Sequence, residues 1–232
     1  MDIQQQMSRH SWFAGLSAHL QGELLTNSRL QRLGVGEFLS RQGDVSGCFY
    51  GLVQGTLKVS TLREDGREAI LTLFEAGNWF GETSLLDGLP RIHDVSAITA
   101  AEVLCVDPPV FDRLMLHAGF ARAVALLQAI HTRLVYTMLE DAMLRSTRAR
   151  IARRLEHLAR GDATLAASER QVLNVTQDEL AMMLGITRQT LALELKAMAA
   201  EGAVVLRYGK VEIASLSALK ATQAGEIRRR PD

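Results

Sequence analysis

Arg188 and Gln189 stand side by side after Thr187, with Leu193 and Lys196 following at helical spacing. Arginine pairs bidentately with guanine in the major groove and glutamine with adenine, so these side chains at the start of one helix can read base edges. Leu193, on the same face, offers an apolar contact to a thymine methyl. Arg207 and Lys210 flank Tyr208-Gly209 and can reach phosphate, which positions a protein on DNA without reading sequence.

Other chemistries lack their residues. The histidines (His10, His19, His93, His117, His131, His157) show no H-x-H or H-x-x-x-H spacing, so a metal enzyme of the cupin kind, which clusters His with a carboxylate, is disfavoured. No catalytic residues and no metal ligands are expected. A haem gas sensor would need His93 or His131 as an axial ligand; a satisfied or solvated histidine is far commoner. Cys48 and Cys105 form no C-x-x-C pair, which excludes a zinc ribbon or a cysteine-held iron–sulfur cluster, and both read as buried, reduced thiols.

The elements that must position the DNA-reading residues follow from local signals. Thr176 with Glu179 three residues later is a capping box, and Asp178 adds negative charge to the first turn. A helix over Gln177–Leu184, a left-handed turn at Gly185 and a second helix from the N-cap Thr187 to about Glu201 make a helix-turn-helix. Leu180, Leu184, Ile186, Leu191, Leu195 and Met198 supply its core. Val204–Leu206 and Val211–Ile213 read as two strands of a basic hairpin, a wing.

Upstream, Thr147–Arg160 is an amphipathic helix closed by Gly161, and residues 163–171 are a polar loop. Residues 118–144 show apolar spacing of three and four on two faces, with no Gly after Gly119 and no Pro. Such a helix is ~40 Å long. One face can cover the N-terminal domain; the other needs a partner, and its heptad-like spacing suggests a second copy of the chain. Val124, Leu127, Leu134 and Met138 are the expected dimer seam. Residues 11 to about 115 read as a short helix, Leu16–Leu25, followed by short strands punctuated by glycine, the pattern of a barrel or roll. Among them Leu57–Ser60 and Ile70–Leu73 flank a hairpin turn at Glu64-Asp65-Gly66.

Composition fits two domains. Of 232 residues 47% are hydrophobic, enough for a core, and no apolar run reaches the ~18 residues of a membrane span. The polar N-terminus lacks the form of a secretory signal, so a cytoplasmic protein is expected. Net charge is zero, but residues 1–144 hold 11 Lys/Arg against 16 Asp/Glu, and residues 145–232 hold 15 against 10. The basic C-terminal half, including Arg228, Arg229 and Arg230, suggests a nucleic-acid partner.

Val175-Thr176-Gln177-Asp178-Glu179-Leu180-Ala181 and Gly185-Ile186-Thr187-Arg188-Gln189-Thr190 resemble the DNA-binding signature of the CRP/FNR family of bacterial transcription regulators. Gly43-Asp44, Tyr50, Gly55-Thr56-Leu57-Lys58-Val59 and Phe80-Gly81-Glu82, with Pro90-Arg91 ten residues on, resemble its β-roll. The resemblance runs from about Phe13 to Ile213. It implies an α+β chain: a β-roll (jelly roll) of the cyclic-nucleotide-binding type over 1–117, a dimerisation helix and hinge over 118–145, and a winged helix-turn-helix over 146–232. It implies a homodimer on palindromic double-stranded DNA, with RNA polymerase as a further partner and no membrane.

For the sensor, the resemblance implies an anion site between Phe80 and Ala97. Gly81, Glu82, Thr83, Arg91, Ile92 and His131 are its candidate effector contacts, with Arg91 on a phosphate and Glu82 on a ribose hydroxyl. The alternative pairs Arg91 with Glu82, Asp87 or Asp94. Three departures weigh against cAMP as the nucleotide-type effector: Ile92 stands where the cyclic-nucleotide binders carry Ser or Thr, and Leu134 and Val135 match the Thr-Ser pair of the cAMP binders. Leu193 stands where members often carry arginine.

Overall fold

The structure is a computed structural model that describes residues 2–45, 47–64, 66, 68–161 and 170–224. Most of the polar loop at 163–171, Asp65 of the hairpin turn and Arg228–Arg230 lie outside the described residues. The chain divides into two compact units, the first ending at Leu134 and the second beginning at Val135.

The first unit opens with three short helices, α1 (Ile3–Met7), α2 (Ser11–Ala14) and α3 (Ala18–Thr26). Helix α3 starts two residues later than the expected Leu16, because the Ser17 side chain accepts from Leu20 N–H and fixes the N-cap there. Eight strands follow: β1 (Ser28–Leu33), β2 (Phe38–Ser40), β3 (Phe49–Gln54), β4 (Thr56–Leu62), β5 (Glu68–Glu75), β6 (Trp79–Phe80), β7 (Asp94–Ala97) and β8 (Ala101–Val106), with the short helix α4 (Glu82–Asp87) between β6 and β7. They form two four-stranded sheets, ordered β1-β8-β3-β6 and β2-β7-β4-β5. The expected hairpin is present as β4–β5, with Leu62 opposite Glu68.

Alternation along the strands gives the first sheet two apolar faces. Leu52, Val103 and Cys105 point into the roll against Leu57, Val59, Phe74 and Val95 of the second sheet. Phe49, Val53, Leu104 and Val106 point the other way and are covered by Trp12, Phe13 and Leu24 of the N-terminal helices, by Phe111 of α5 (Pro108–Met115), and by Phe120, Val124 and Leu127 of α6 (Ala118–Leu144). Trp12 Nε1 donates to the Ala123 carbonyl at 2.6 Å.

That packing corrects the expected seam. Val124 and Leu127 are only 1% exposed. They face the chain's own roll, and Leu134 packs against the roll's interior cluster. Periodicity shows that the helix has two apolar faces but not which one the roll takes. Met138 is half-buried, while Val135, Tyr136, Leu139 and Met143 are exposed. Among the described residues no single helix is long and apolar enough to cross a membrane.

In the second unit, α7 (Thr147–Ala159) begins at the N-cap Ser146. It packs against α10 (Leu216–Ala224), where Leu219 is buried, and its own Ala149, Ile151, Ala152 and Leu155 are buried. Between them lie β9 (Val172–Leu173), α8 (Gln177–Leu184), α9 (Arg188–Ala200), β10 (Val204–Arg207) and β11 (Lys210–Ile213), with the strands ordered β10-β11-β9.

Candidate nucleic-acid interface and effector pocket

The turn between α8 and α9 is built by its caps. Thr176 Oγ1 accepts from Glu179 N–H at 3.1 Å, and Glu179 Oε2 accepts from Thr176 N–H at 2.8 Å, completing the capping box. Gly185 takes the left-handed conformation (φ 62°), closing α8, and Thr187 Oγ1 accepts from Thr190 N–H at 3.1 Å to open α9. Leu180, Leu184, Leu191, Leu195 and Met198 are buried, and Ile186 half-buried.

This core leaves Arg188, Gln189, Leu193 and Lys196 exposed on α9, together with the capping threonines Thr176 and Thr187. Leu193 is 71% exposed. Arg188 lies 3.3 Å from Asp178. Both partners are more than half exposed, so the pair aims the guanidinium more than it stabilises the fold. Across the wing, Arg207 is paired with Lys210 in register, and Arg207 also meets Glu212 at 3.3 Å. Two exposed residues went unassigned in the sequence. Thr190 shares a hydrogen bond with Thr187, and Tyr208 stands fully exposed at the wing tip. An aromatic between two cations in a hairpin turn was the signal for Tyr208.

In the first unit, a cavity of about 140 Å³ lies among Tyr50, Phe74, Phe80, Arg91, His93 and His131, with Gly81, Glu82, Thr83 and Ile92 also in its wall. All six predicted effector residues therefore come together. Gly81 has φ 94°, and a Cβ there would sit 2.8 Å from the Cys48 carbonyl, so only glycine fits this turn into α4.

The individual roles differ from those expected. Arg91 is 8% exposed and donates through Nη1 to the Gly81 carbonyl at 2.8 Å and through Nη2 to the Cys48 carbonyl at 2.7 Å. Glu82 is buried, and its Oε1 meets His131 Nδ1 at 2.9 Å rather than waiting for a ribose hydroxyl. Among the described residues Arg91 forms no ion pair with Glu82, Asp87 or Asp94; Asp87 accepts from Leu89 N–H and Asp94 from Gln42 N–H. Local charge counting missed this arrangement because the partners are backbone carbonyls and a histidine 49 residues away. Thr83 accepts from Gln128 Nε2 at 3.1 Å, and Ile92 is half exposed.

Arg91 Nε, His93 Nδ1 and His131 Nε2 are buried and have no hydrogen-bond partner among the described residues. Burial holds the His93 imidazole below its ordinary pKa, with Asp94 opposing, and pushes the Tyr50 phenol up. Among the described residues no three His, Cys, Asp or Glu side chains cluster to hold a metal ion.

Residues 30–118 match the cyclic nucleotide-binding domain, and residues 149–222 match the Crp-like helix-turn-helix domain. The chain is similar to the transcriptional regulator LdrP of Thermus thermophilus, at 31% identity over 82% of this chain and 95% of that protein. It belongs to the CRP/FNR family of transcription regulators. Another relative is a CRP-like cAMP-activated global transcriptional regulator of Mycobacterium tuberculosis, 27% identical over 77% of this chain and 80% of that one. Among solved structures, a CRP-family transcriptional regulator from Thermus thermophilus superposes with a TM-score of 0.69 at 28% identity, covering 84% of this chain and 96% of that one.

The CRP/FNR fold is thus an N-terminal β-sheet domain, a long helix and a C-terminal helix-turn-helix, as the sequence implied. Against the pattern of the family's cAMP binders, Leu134 is packed on the roll interior and Val135 is 62% exposed.

Proposed function

We propose that this CRP/FNR regulator acts as a homodimer on palindromic DNA, reading each half-site through α9, and that cAMP is not its effector. The observation that carries the DNA reading is the exposed row Arg188, Gln189, Leu193, Lys196 on a helix whose other side is a closed core. Arg188 and Gln189 carry the chemistry for guanine and adenine edges, and Leu193 suits a thymine methyl. Arg207 and Lys210 supply phosphate contacts.

Support for the dimer is the exposed part of α6. Tyr136, Leu139 and Met143 follow at spacings of three and four, the seam of a coiled coil, and each is more than half exposed. A two-fold dimer would place two α9 helices against half-sites about one helical turn, ~34 Å, apart. RNA polymerase is the expected further partner of such a regulator.

The relative from Mycobacterium tuberculosis is named as cAMP-activated. For this chain the pocket argues otherwise. Glu82 is already paired with His131, and Ile92 offers no hydroxyl to a phosphate. One lost charged contact is worth ~1–3 kcal/mol, and each ~1.4 kcal/mol is tenfold in affinity. The decisive experiment measures binding of the purified protein to selected DNA, alone and with a panel of nucleotides, alongside calorimetric titration of cAMP. DNA binding unchanged by cAMP is expected. A low-micromolar cAMP site that depends on Arg91 would overturn the effector reading, and no selected DNA consensus would overturn the whole proposal.

A further inference from the structure

Helix α4 is short and thinly anchored. It lies between two glycines in the left-handed conformation, Gly81 (φ 94°) and Gly88 (φ 69°), and of its six residues only Glu82 is buried. Leu85 is half-buried against the outer core, and Leu86 is 45% exposed. Hydrophobic stabilisation follows the apolar area removed from water, so packing alone holds this helix weakly.

What holds its first turn comes from α6. Gln128 Nε2 donates to Thr83 Oγ1 at 3.1 Å, and His131 Nδ1 meets Glu82 Oε1 at 2.9 Å. Residues three apart on a helix share a face, so both bonds leave one side of α6 and reach adjacent residues of α4. Among the described residues the side chains of Glu82 and Thr83 have no other hydrogen-bond or ionic partner. A carboxylate that is 2% exposed is costly to keep buried alone, so Glu82 stays in place only while His131 does. The His131 ring is seated beside Phe74, with centroids 6.4 Å apart, and Phe74 stacks on Phe80, two residues before α4. The same two elements border the cavity, α4 through Glu82, Thr83 and Ser84, and α6 through His131. A ligand that drew α4 and α6 together there would have to work through groups the chain has already joined to each other.

We propose that Gln128 and His131 are an internal substitute for an effector: they keep α4 docked on α6, and the regulator binds its DNA with no ligand present. The inference rests on the reading of this chain as a DNA-binding regulator that does not answer to cAMP. Its physical content is a population shift. With α4 docked, α6 is held in one setting, and α6 leads on through Tyr136, Leu139 and Met143, the ridge proposed to meet the second copy. With the tether cut, docked and released forms share the population. The apparent Kd for DNA then rises by the inverse of the docked fraction, so a fraction of about one tenth weakens binding about tenfold.

The test uses the full-length chain, shown by mass spectrometry to carry no co-purified small molecule. DNA affinity is read by anisotropy on the selected site, and hydrogen exchange of the α4 amides is followed without DNA. Ligand-free wild type should bind. H131L should raise the Kd about tenfold, with the active fraction from stoichiometric titration unchanged, and its α4 amides should exchange faster while those of β3 and β8 stay protected. Q128L should act in the same direction. T83V should match Q128L, and the double variant should be no worse than either, because both remove one bond. If H131L fails to fold by circular dichroism, Q128L and T83V decide. Unchanged α4 exchange, faster exchange with unchanged DNA affinity, or a wild-type chain that needs added nucleotide before it binds DNA each overturn the tether and leave the DNA reading standing. A wild-type chain that selects no DNA sequence under any condition overturns the DNA reading itself, and this proposal with it.

Discussion

Glu82 Oε1 lies 2.9 Å from His131 Nδ1, joining the start of α4 to the middle of α6 across the pocket wall. Glu82 is 2% exposed, so its carboxylate depends on that partner. Replacing His131 with Leu strands a buried acceptor and should lower stability by about 1–3 kcal/mol. E82Q, which keeps an acceptor, should cost less. Urea denaturation measures both, and an unchanged midpoint in H131L would show that the pair contributes nothing.

Arg188→Ala should weaken binding to the selected site by ~1–3 kcal/mol and relax the preference at one guanine per half-site. The fold should hardly notice, because the pair with Asp178 is exposed. Lys210→Ala should weaken all sequences about equally and reduce the salt slope by about 1. Binding-site selection and anisotropy titrations over a range of salt separate the two effects. A consensus unchanged by R188A would remove Arg188 from the reading face.

The burial of Val124 and Leu127 separates two kinds of variant on one helix. Leu127→Ala opens a cavity in the first unit's core and should cost ~2–5 kcal/mol without changing the oligomeric state. Leu139→Glu puts a charge on the exposed ridge and should give monomers that fold normally. Sedimentation and thermal melts distinguish the two; a wild-type chain that sediments as a monomer at micromolar concentration sinks the dimer.

His93 predicts a pH dependence with a definite sign. Its folded-state pKa lies below the ordinary value because burial disfavours the imidazolium. The unfolded chain therefore binds more protons, and stability is full above about pH 6.5 and falls as pH drops below it. Denaturation midpoints between about pH 5 and 8 should decline on the acid side in wild type and less in H93F. An identical slope in the two would remove His93 as the cause.

The helix-turn-helix was legible almost to the residue, because Thr176, Glu179, Gly185 and Thr187 act through neighbours within four positions. The α6 boundaries were legible from its run of three-and-four apolar spacing without Pro or any Gly after Gly119. The direction in which α6 faces was not. Its buried side is chosen by Trp12, Phe49 and Phe111, which come from elsewhere in the chain and leave no trace in the helix's own period. The pocket residues were found as a set through family spacing, yet their partners were not. Arg91 bonds the carbonyl of Cys48, which any residue type would carry, and Tyr50, Phe74 and His93 reach the cavity from separate stretches of the chain.

Arg91 has a role in the fold that needs no nucleotide. Its two bonds to the Gly81 and Cys48 carbonyls tie the turn before α4 to the segment entering β3, a structural duty independent of any ligand. An arginine at this position is then a poor marker when genomes are surveyed for second-messenger receptors. The residue that follows it and the pair on the long helix are the better discriminators.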